Sequence, residues 1–316
     1  MLNRRNFIAV TGASLALAAC GRAGGSGKVL RVGSQKGGTK SLMLSAGALD
    51  GVDYAVEWAE FPAAQNLLEA LGSNAIDVGL VGDAPFQFAY QAGSPIQVVG
   101  AQRADPRPAG ALAIVAPKGS AVRTLADLRG KQIATGRGSI GHYLILRVLQ
   151  RAGWPPDAIK IAFLSPSDAA AALAARSVAA WSTWVPYVPL VLAQGGHIVV
   201  DGQDYTGGYG FEVANVTAIR DKRAILSDFL AREGRALAWS ANHLDAFGKV
   251  LAQETGLPPE IARIAVEKNG RLPAPIDAAL MKDQQQLLDL FAQAGAITVK
   301  RPLNQAFAPG LAKVPA

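Results

Sequence analysis

The stretch Lys131–Gln150, KQIATGRGSIGHYLILRVLQ, decides how this chain reads. Lys131–Thr135 has the look of a short strand, with Ile133 and Ala134 apolar, and Gly136-Arg137-Gly138-Ser139 that of a turn. From Ile140 an apolar arc recurs at helical spacing through Leu144, Ile145, Leu146, Val148 and Leu149, while Arg147, Gln150 and Arg151 take the other side. Ser139 is a good N-cap residue, so the turn delivers the chain into a helix start. A helix start carries unpaired backbone N–H groups and the positive end of the helix dipole, which together favour an anion. Gly138 lets a ligand come close to the backbone. The expectation is that the N–H groups of Ser139, Ile140 and Gly141 hold an oxyanion, with the Ser139 hydroxyl and the His142 ring as extra donors. The same residues also allow an ordinary capped connection with no ligand. Gly136, Gly138 and Gly141 further spell a dinucleotide-binding pattern, but that pattern needs an acid ending the next strand to hold a ribose. The next strand, Ile159–Leu164, ends without one: Asp157 precedes it and Asp168 lies past it.

Outward from this stretch, strand and helix alternate. Before it come strands at Val29–Ser34, Val52–Phe61, Ala75–Val81, Pro95–Gln102 and Gly110–Pro117. Helices are expected near Lys40–Ala48, Ala63–Leu71 and Ala84–Gln91, with a short one at Thr124–Leu128. After it come a helix at Pro166–Ala175, a strand at Val178–Trp184, a helix at Pro186–Ala193, and strands at His197–Asp201 and Phe211–Ile219. Alternation of this kind implies an α/β fold with mostly parallel sheets flanked by helices. Arg103–Gly110, rich in proline and charge, is expected to cross from one lobe to a second, and the glycine-rich Asp201–Gly210 to return as a hinge. Lobe 1 is thus 28–108 with 211–316, and lobe 2 is 109–210. Beyond Asp221 the chain turns helical, at Asp221–His243, Leu244–Thr255, Pro258–Glu267 and Ile276–Ala294; these helices are expected on the outside of lobe 1, followed by an irregular tail from Lys300.

The 316 residues, half of them hydrophobic, suffice for a sizeable core in two lobes. The net charge of +7 is scattered, and no basic run is interleaved with aromatics, so nucleic acid is not an expected partner. The first nineteen residues read as an export signal: Arg4 and Arg5 precede the apolar Ile8–Ala19, which is too short to span a bilayer. Leu17-Ala18-Ala19-Cys20 resembles a bacterial lipobox, which would place a lipid on Cys20; Arg4-Arg5-Asn6-Phe7 resembles a twin-arginine signal, though an ordinary charged start reads as well. Residues 20–27 then form a tether. Cys20 is the only cysteine, so no intrachain disulfide is possible. The mature chain is expected as a monomer on the outer side of a membrane, held there by its lipid.

Ligands of open α/β sheets sit at the carboxyl ends of strands. Four such ends carry informative residues: Gln35–Thr39, Gly82-Asp83, Gly138–His142 and Trp181–Tyr187. Two sheets facing each other would set all four around one pocket. Gln35 and the backbone of Gly37 and Gly38 are candidate donors beside Lys36, unless they are merely a glycine-rich turn with a solvated lysine. Asp83 either orients a polar ligand group or caps the helix that follows it. Trp181 and Trp184 lie on opposite faces of a strand, so one is core and the other can wall the pocket; Tyr187 either closes over the ligand or packs. His142, His197 and His243 are far apart with no metal-ligand spacing, and no G-x-S-x-G elbow supports a nucleophile. Neither metal, cofactor nor catalysis is expected.

Leu30–Gly38 (LRVGSQKGG), Val56–Leu71 (VEWAEFPAAQNLLEAL), Ile76–Pro85 (IDVGLVGDAP), Gly138–Leu146 (GSIGHYLIL) and Ala180–Tyr187 (AWSTWVPY) resemble the aliphatic-sulfonate family of ABC-transporter substrate-binding proteins. Taurine- and nitrate-binding relatives share much of this pattern, which covers about Val29 to Ala218. The resemblance implies a type II periplasmic-binding fold, whose two lobes close on a small anion such as an alkanesulfonate and present it to a membrane permease and its ATPase. It implies a ligand shell of Gln35, Gly82, Asp83, Gly138, Ser139, His142, Trp181 and Trp184. The chain departs from the family where Ala179 and Val185 stand in place of the usual Asp, which disfavours amino-bearing sulfonates. An enzyme on the same fold, related to thiamine-pyrimidine synthesis, and a ligand-sensing lipoprotein are the alternatives.

Overall fold

The computed structural model describes residues 28–104 and 107–312. The expected signal segment, Cys20 and the tether lie outside the described residues. The chain forms two sheets. The first has six strands in the order β11-β4-β10-β3-β1-β2, with β1 (Val29–Gln35), β2 (Ala55–Phe61), β3 (Val78–Gly82), β4 (Ile96–Arg103), β10 (Gly210–Asn215) and β11 (Leu272–Ala274). The second has five in the order β7-β6-β8-β5-β9, with β5 (Leu112–Ala116), β6 (Gln132–Thr135), β7 (Lys160–Phe163), β8 (Ala180–Trp184) and β9 (His197–Asp201). Four strands of each sheet share one direction: β1, β2, β3 and β4 in the first, β6, β7, β8 and β9 in the second. In the first sheet, β10 returns antiparallel between β3 and β4; in the second, β5 lies antiparallel between β8 and β9. These two are strands by which the chain arrives from the other sheet; the edge strand β11 also lies antiparallel to β4.

Helices α1 (Thr39–Ser45), α2 (Ala64–Gly72) and α3 (Asp83–Gln91) alternate with the first strands; α4 (Ile140–Ala152), α5 (Pro166–Ala174) and α6 (Tyr187–Ala193) serve the second sheet. Their starts follow local chemistry. Ser139 and Ser165 accept the N–H of His142 and Asp168, and Gly153 ends α4 in the left-handed region at φ 64°. The remaining helices are α7 (Val216–Asp221), α8 (Arg223–Asn242), α9 (Leu244–Thr255), α10 (Pro259–Lys268) and α11 (Ala278–Gln293).

Four expectations change. The strand expected over Phe211–Ile219 stops at Asn215, whose side chain accepts the Thr217 N–H at 2.8 Å and starts α7. β11 was not foreseen: it has three residues, and its Pro273 is tolerated because β11 is an edge strand. The tail from Lys300 is not wholly irregular. It makes a short turn of helix at Leu303–Ala306 and pairs Phe307 with Val98. Most consequentially, α11 is not confined to the outside of the first sheet. Its Leu280 is buried with Leu67 and Phe86 of the first sheet's core, while Leu287, Leu290 and Phe291 are buried with Ile114 and Tyr143 of the second's.

The two connections between the sheets are tied to each other. Arg107 Nη1 donates to Thr206 Oγ1 at 2.9 Å, Gln203 Nε2 to the Arg107 carbonyl at 2.6 Å, and the Gly110 N–H to Asp201 Oδ2 at 2.8 Å. They join β4 to β5 and β9 to β10. These strands stand away from β1–β2 in one sheet order and from β6–β7 in the other.

Candidate functional site

The start of α4 sits at the carboxyl end of β6, and its geometry is set by glycine. Gly138 has φ +67°, a conformation that favours glycine, and a Cβ there would lie 3.1 Å from the Phe88 ring. Phe88 belongs to α3, so the mouth before α4 faces the element that carries Asp83, and the half-buried Phe88 ring covers Gly138. Gly141 has a different task. A Cβ at 141 would lie 2.5 Å from the Ser182 carbonyl and 2.6 Å from Thr135 Oγ1, so the bare Cα lets α4 lie directly on β8; Ser182 Oγ donates to the Gly141 carbonyl at 2.7 Å. The third glycine of the G-x-G-x-x-G pattern therefore serves helix–strand packing.

The donor set differs from the one read in the sequence. The Ser139 N–H is spent on the Gly136 carbonyl at 3.2 Å, and the Ser139 hydroxyl on the same carbonyl at 2.7 Å, because closing the turn requires them. The Gly138 N–H donates to His142 Nδ1 at 3.3 Å, which leaves Nε2 as the protonated ring nitrogen. Among the described residues, the N–H groups of Ile140 and Gly141 have no acceptor. These two amides and His142 Nε2 are the donors left for an anion. His142 is buried, and its rings of contact are Phe163 at 4.9 Å and Phe291 at 5.1 Å between centroids. Burial first, and the Arg137 charge second, push its pKa down to about 4, so the imidazole is neutral and acts as a dipole.

On the first sheet, Gly82 precedes α3 and lies opposite Gly210 of β10. Asp83 is 1 % exposed and its carboxylate is turned to the protein: Oδ1 accepts the Ala84 N–H at 2.8 Å, and Oδ2 accepts the Tyr209 N–H and Gln284 Nε2 at 3.3 Å each. Desolvation, reinforced by the neighbouring Asp283, raises its pKa to about 6. Asp83 thus fastens α3 to β10 and α11. Gln35 ends β1 half-buried, and its Nε2 reaches the Leu80 carbonyl at 3.4 Å. Gly37 has φ +72°, and α9 covers it, since a Cβ there would meet Leu251 at 2.5 Å. Lys36 beside it is exposed.

The tryptophans part as a strand requires. Trp181, 2 % exposed, is buried among Ala169, Leu173 and Val191 under α5 and α6. Trp184 shares the strand face of Ser182, which touches α4, and is half-buried at the strand's end. Tyr187 bridges them, 5.2 Å from the Trp181 ring and 6.2 Å from the Trp184 ring. Trp181 is therefore the core member, and Trp184 stands half-buried at the end of β8. Phe88, Phe163, Gln284 and Phe291 meet at or near this region without having been read from the sequence; Gln284 and Phe291 lie on α11, and nothing local marks them.

A polar hollow of about 300 Å³ lies elsewhere, between the two connections, lined by Arg103, Arg107, Arg147, Asp204, Thr206 and Asp283. Its charges oppose one another, and it stands on the hinge side, away from the start of α4.

Comparison with known proteins agrees with this architecture. The family model described as NMT1/THI5 like matches residues 51–206. A protein of Escherichia coli (strain K12) named as an aliphatic sulfonates-binding protein is 33% identical over 285 residues, spanning 89% of this chain and 88% of its own. The crystal structure of the E. coli periplasmic aliphatic sulphonate binding protein SsuA superposes with a TM-score of 0.79 at 30% identity, over 89% of this chain and 92% of that one. The alkanesulfonate-binding protein SsuA from Xanthomonas axonopodis pv. citri, solved bound to MOPS, gives 0.79 at 32% identity, over 89% and 98%. The fold is that of the type II periplasmic binding proteins, and these relatives are binding proteins rather than enzymes. With identity running through most of both chains, the protein belongs to the aliphatic sulfonate-binding family.

Proposed function

We propose that the protein is the extracytoplasmic binding component of an ABC importer, capturing an aliphatic sulfonate or similar small organic anion between its two sheets. One observation carries this reading: the unpaired N–H groups of Ile140 and Gly141 open a helix of 13 residues at the edge facing α3. A sulfonate is ionised at every relevant pH, so it asks for donors and no proton acceptor. Backbone amides, a neutral His142 donating through Nε2, and an aromatic wall including Trp184 and Phe88 meet that demand. Closure of residues 28–108 with 211–316 against 109–210, bending where the two connections cross, would exclude water and strengthen each bond. Gln35, Lys36, Gly37 and Gly82 would approach from the first sheet, with Asp83 holding α3 in place. Export, a lipid on Cys20, and transfer of the ligand to a permease and ATPase complete the proposal.

Titration calorimetry on the mature chain tests it, with ethanesulfonate, butanesulfonate, taurine, nitrate and bicarbonate as ligands. Saturable binding of the alkanesulfonates, tighter than that of nitrate or bicarbonate, is expected; absence of binding by the whole panel would refute it.

A further inference from the structure

One cation at this site has an aromatic partner but, among the described residues, no anionic one. Arg137 immediately precedes Gly138 and is exposed, yet its guanidinium carbon lies over the Phe163 ring, 3.9 Å from its centre. Among the described residues it makes no hydrogen bond and no ion pair. Phe163 ends β7, the edge strand of the second sheet farthest from β9. The Phe163 ring also lies edge-on to His142, 4.9 Å between centroids, which places the stacked guanidinium on the rim of the α4 mouth. Glu60 of β2 in the first sheet is paired with Lys40. Asp83 is turned inward to Ala84, Tyr209 and Gln284. Among the described residues the Arg137 charge is thus held by the Phe163 ring alone, with no carboxylate bonded to it.

We infer that Arg137, steadied on Phe163, is the cation that takes the sulfonate group as it reaches the amides of α4, and that it selects sulfonates lacking an ammonium group. The inference rests on the sulfonate-binding reading above and adds a residue and a selectivity to it. A guanidinium stacked on a ring is pre-oriented, so less side-chain freedom is lost when it grips two oxyanion oxygens. The same charge repels the ammonium of taurine, while propanesulfonate has nearly the same shape and no such penalty.

Calorimetry on the wild-type mature chain and on Arg137→Gln, Arg137→Lys and Phe163→Leu decides the matter, with propanesulfonate and taurine as ligands at low and high sodium chloride. Wild type should bind propanesulfonate at least about tenfold more tightly than taurine. Arg137→Gln should weaken propanesulfonate about tenfold, flatten the salt dependence and narrow the gap to taurine. Arg137→Lys should keep the salt dependence while losing part of the affinity, and Phe163→Leu should weaken binding with the salt dependence retained. Arg137 is exposed and otherwise unbonded, so its variants should melt with wild type. Wild-type binding left unchanged in affinity and salt response by Arg137→Gln, or taurine bound as tightly as propanesulfonate, would overturn the inference and leave the sulfonate reading standing. A wild type that binds no sulfonate would instead refute that reading.

Discussion

His142 shows what one residue contributes and how far its sequence context reveals it. Its place three residues after an N-cap serine marks it as a candidate donor at a helix start. Which nitrogen faces the ligand is not local information, because the Gly138 N–H consumes Nδ1 and packing by Phe163 and Phe291 decides the burial. Its pKa, held at about 4, lies below the ordinary value of 6.5, so the unfolded chain binds more protons between those limits. Stability therefore falls as pH drops through that window, by about 3 kcal/mol when both ends are reached. Asp83, with its pKa raised to about 6, acts with the opposite sign: its contribution to stability falls as pH rises from about 4 through about 6. Comparing urea unfolding of wild type and His142→Gln at each pH separates the two. The variant should lack the acid-side loss, and parallel pH profiles for the two proteins would contradict this assignment.

At the scale of elements, the helix starts and most strands of the two sheets were legible because their signals are local: Ser139, Ser165 and Asn215 each cap the helix that follows. Even there, reading Phe211–Ile219 as one apolar strand missed the cap at Asn215. The role of α11 was illegible for a different reason. Its amphipathic pattern reports that one face is buried but not against which sheet. The structure commits Leu280 to one core and Phe291 to the other, with Phe291 meeting Phe88 at 5.0 Å and Tyr143 at 5.7 Å between ring centroids. Phe291→Ala should cost about 3–5 kcal/mol in urea unfolding, because it empties a fully buried site shared by three helices. It should also weaken sulfonate binding, since His142 loses a wall. A loss below about 1 kcal/mol would show that α11 does not join the sheets in solution.

For the whole molecule, alternation of strand and helix with two composition breaks was enough to expect two sheets joined by two connections. The order of strands within each sheet was not, since β10 and β5 insert antiparallel between neighbours far away in sequence. The site was half legible for the same reason. The glycine-rich turns and the helix start are local signals. The inward turn of Asp83 depends on Tyr209 and Gln284, more than a hundred residues away along the chain. The unpaired state of Arg137 likewise emerges only when no acid arrives beside it. The central claim, that an oxyanion rests on the start of α4, is tested most directly by amide proton shifts in two-dimensional NMR spectra of the mature chain with and without saturating ethanesulfonate. The Ile140 and Gly141 amide protons should move furthest downfield, with Gly138 and Ser139 moving little because His142 Nδ1 and the Gly136 carbonyl already hold them. Saturating ligand that leaves Ile140 and Gly141 unmoved would contradict the account.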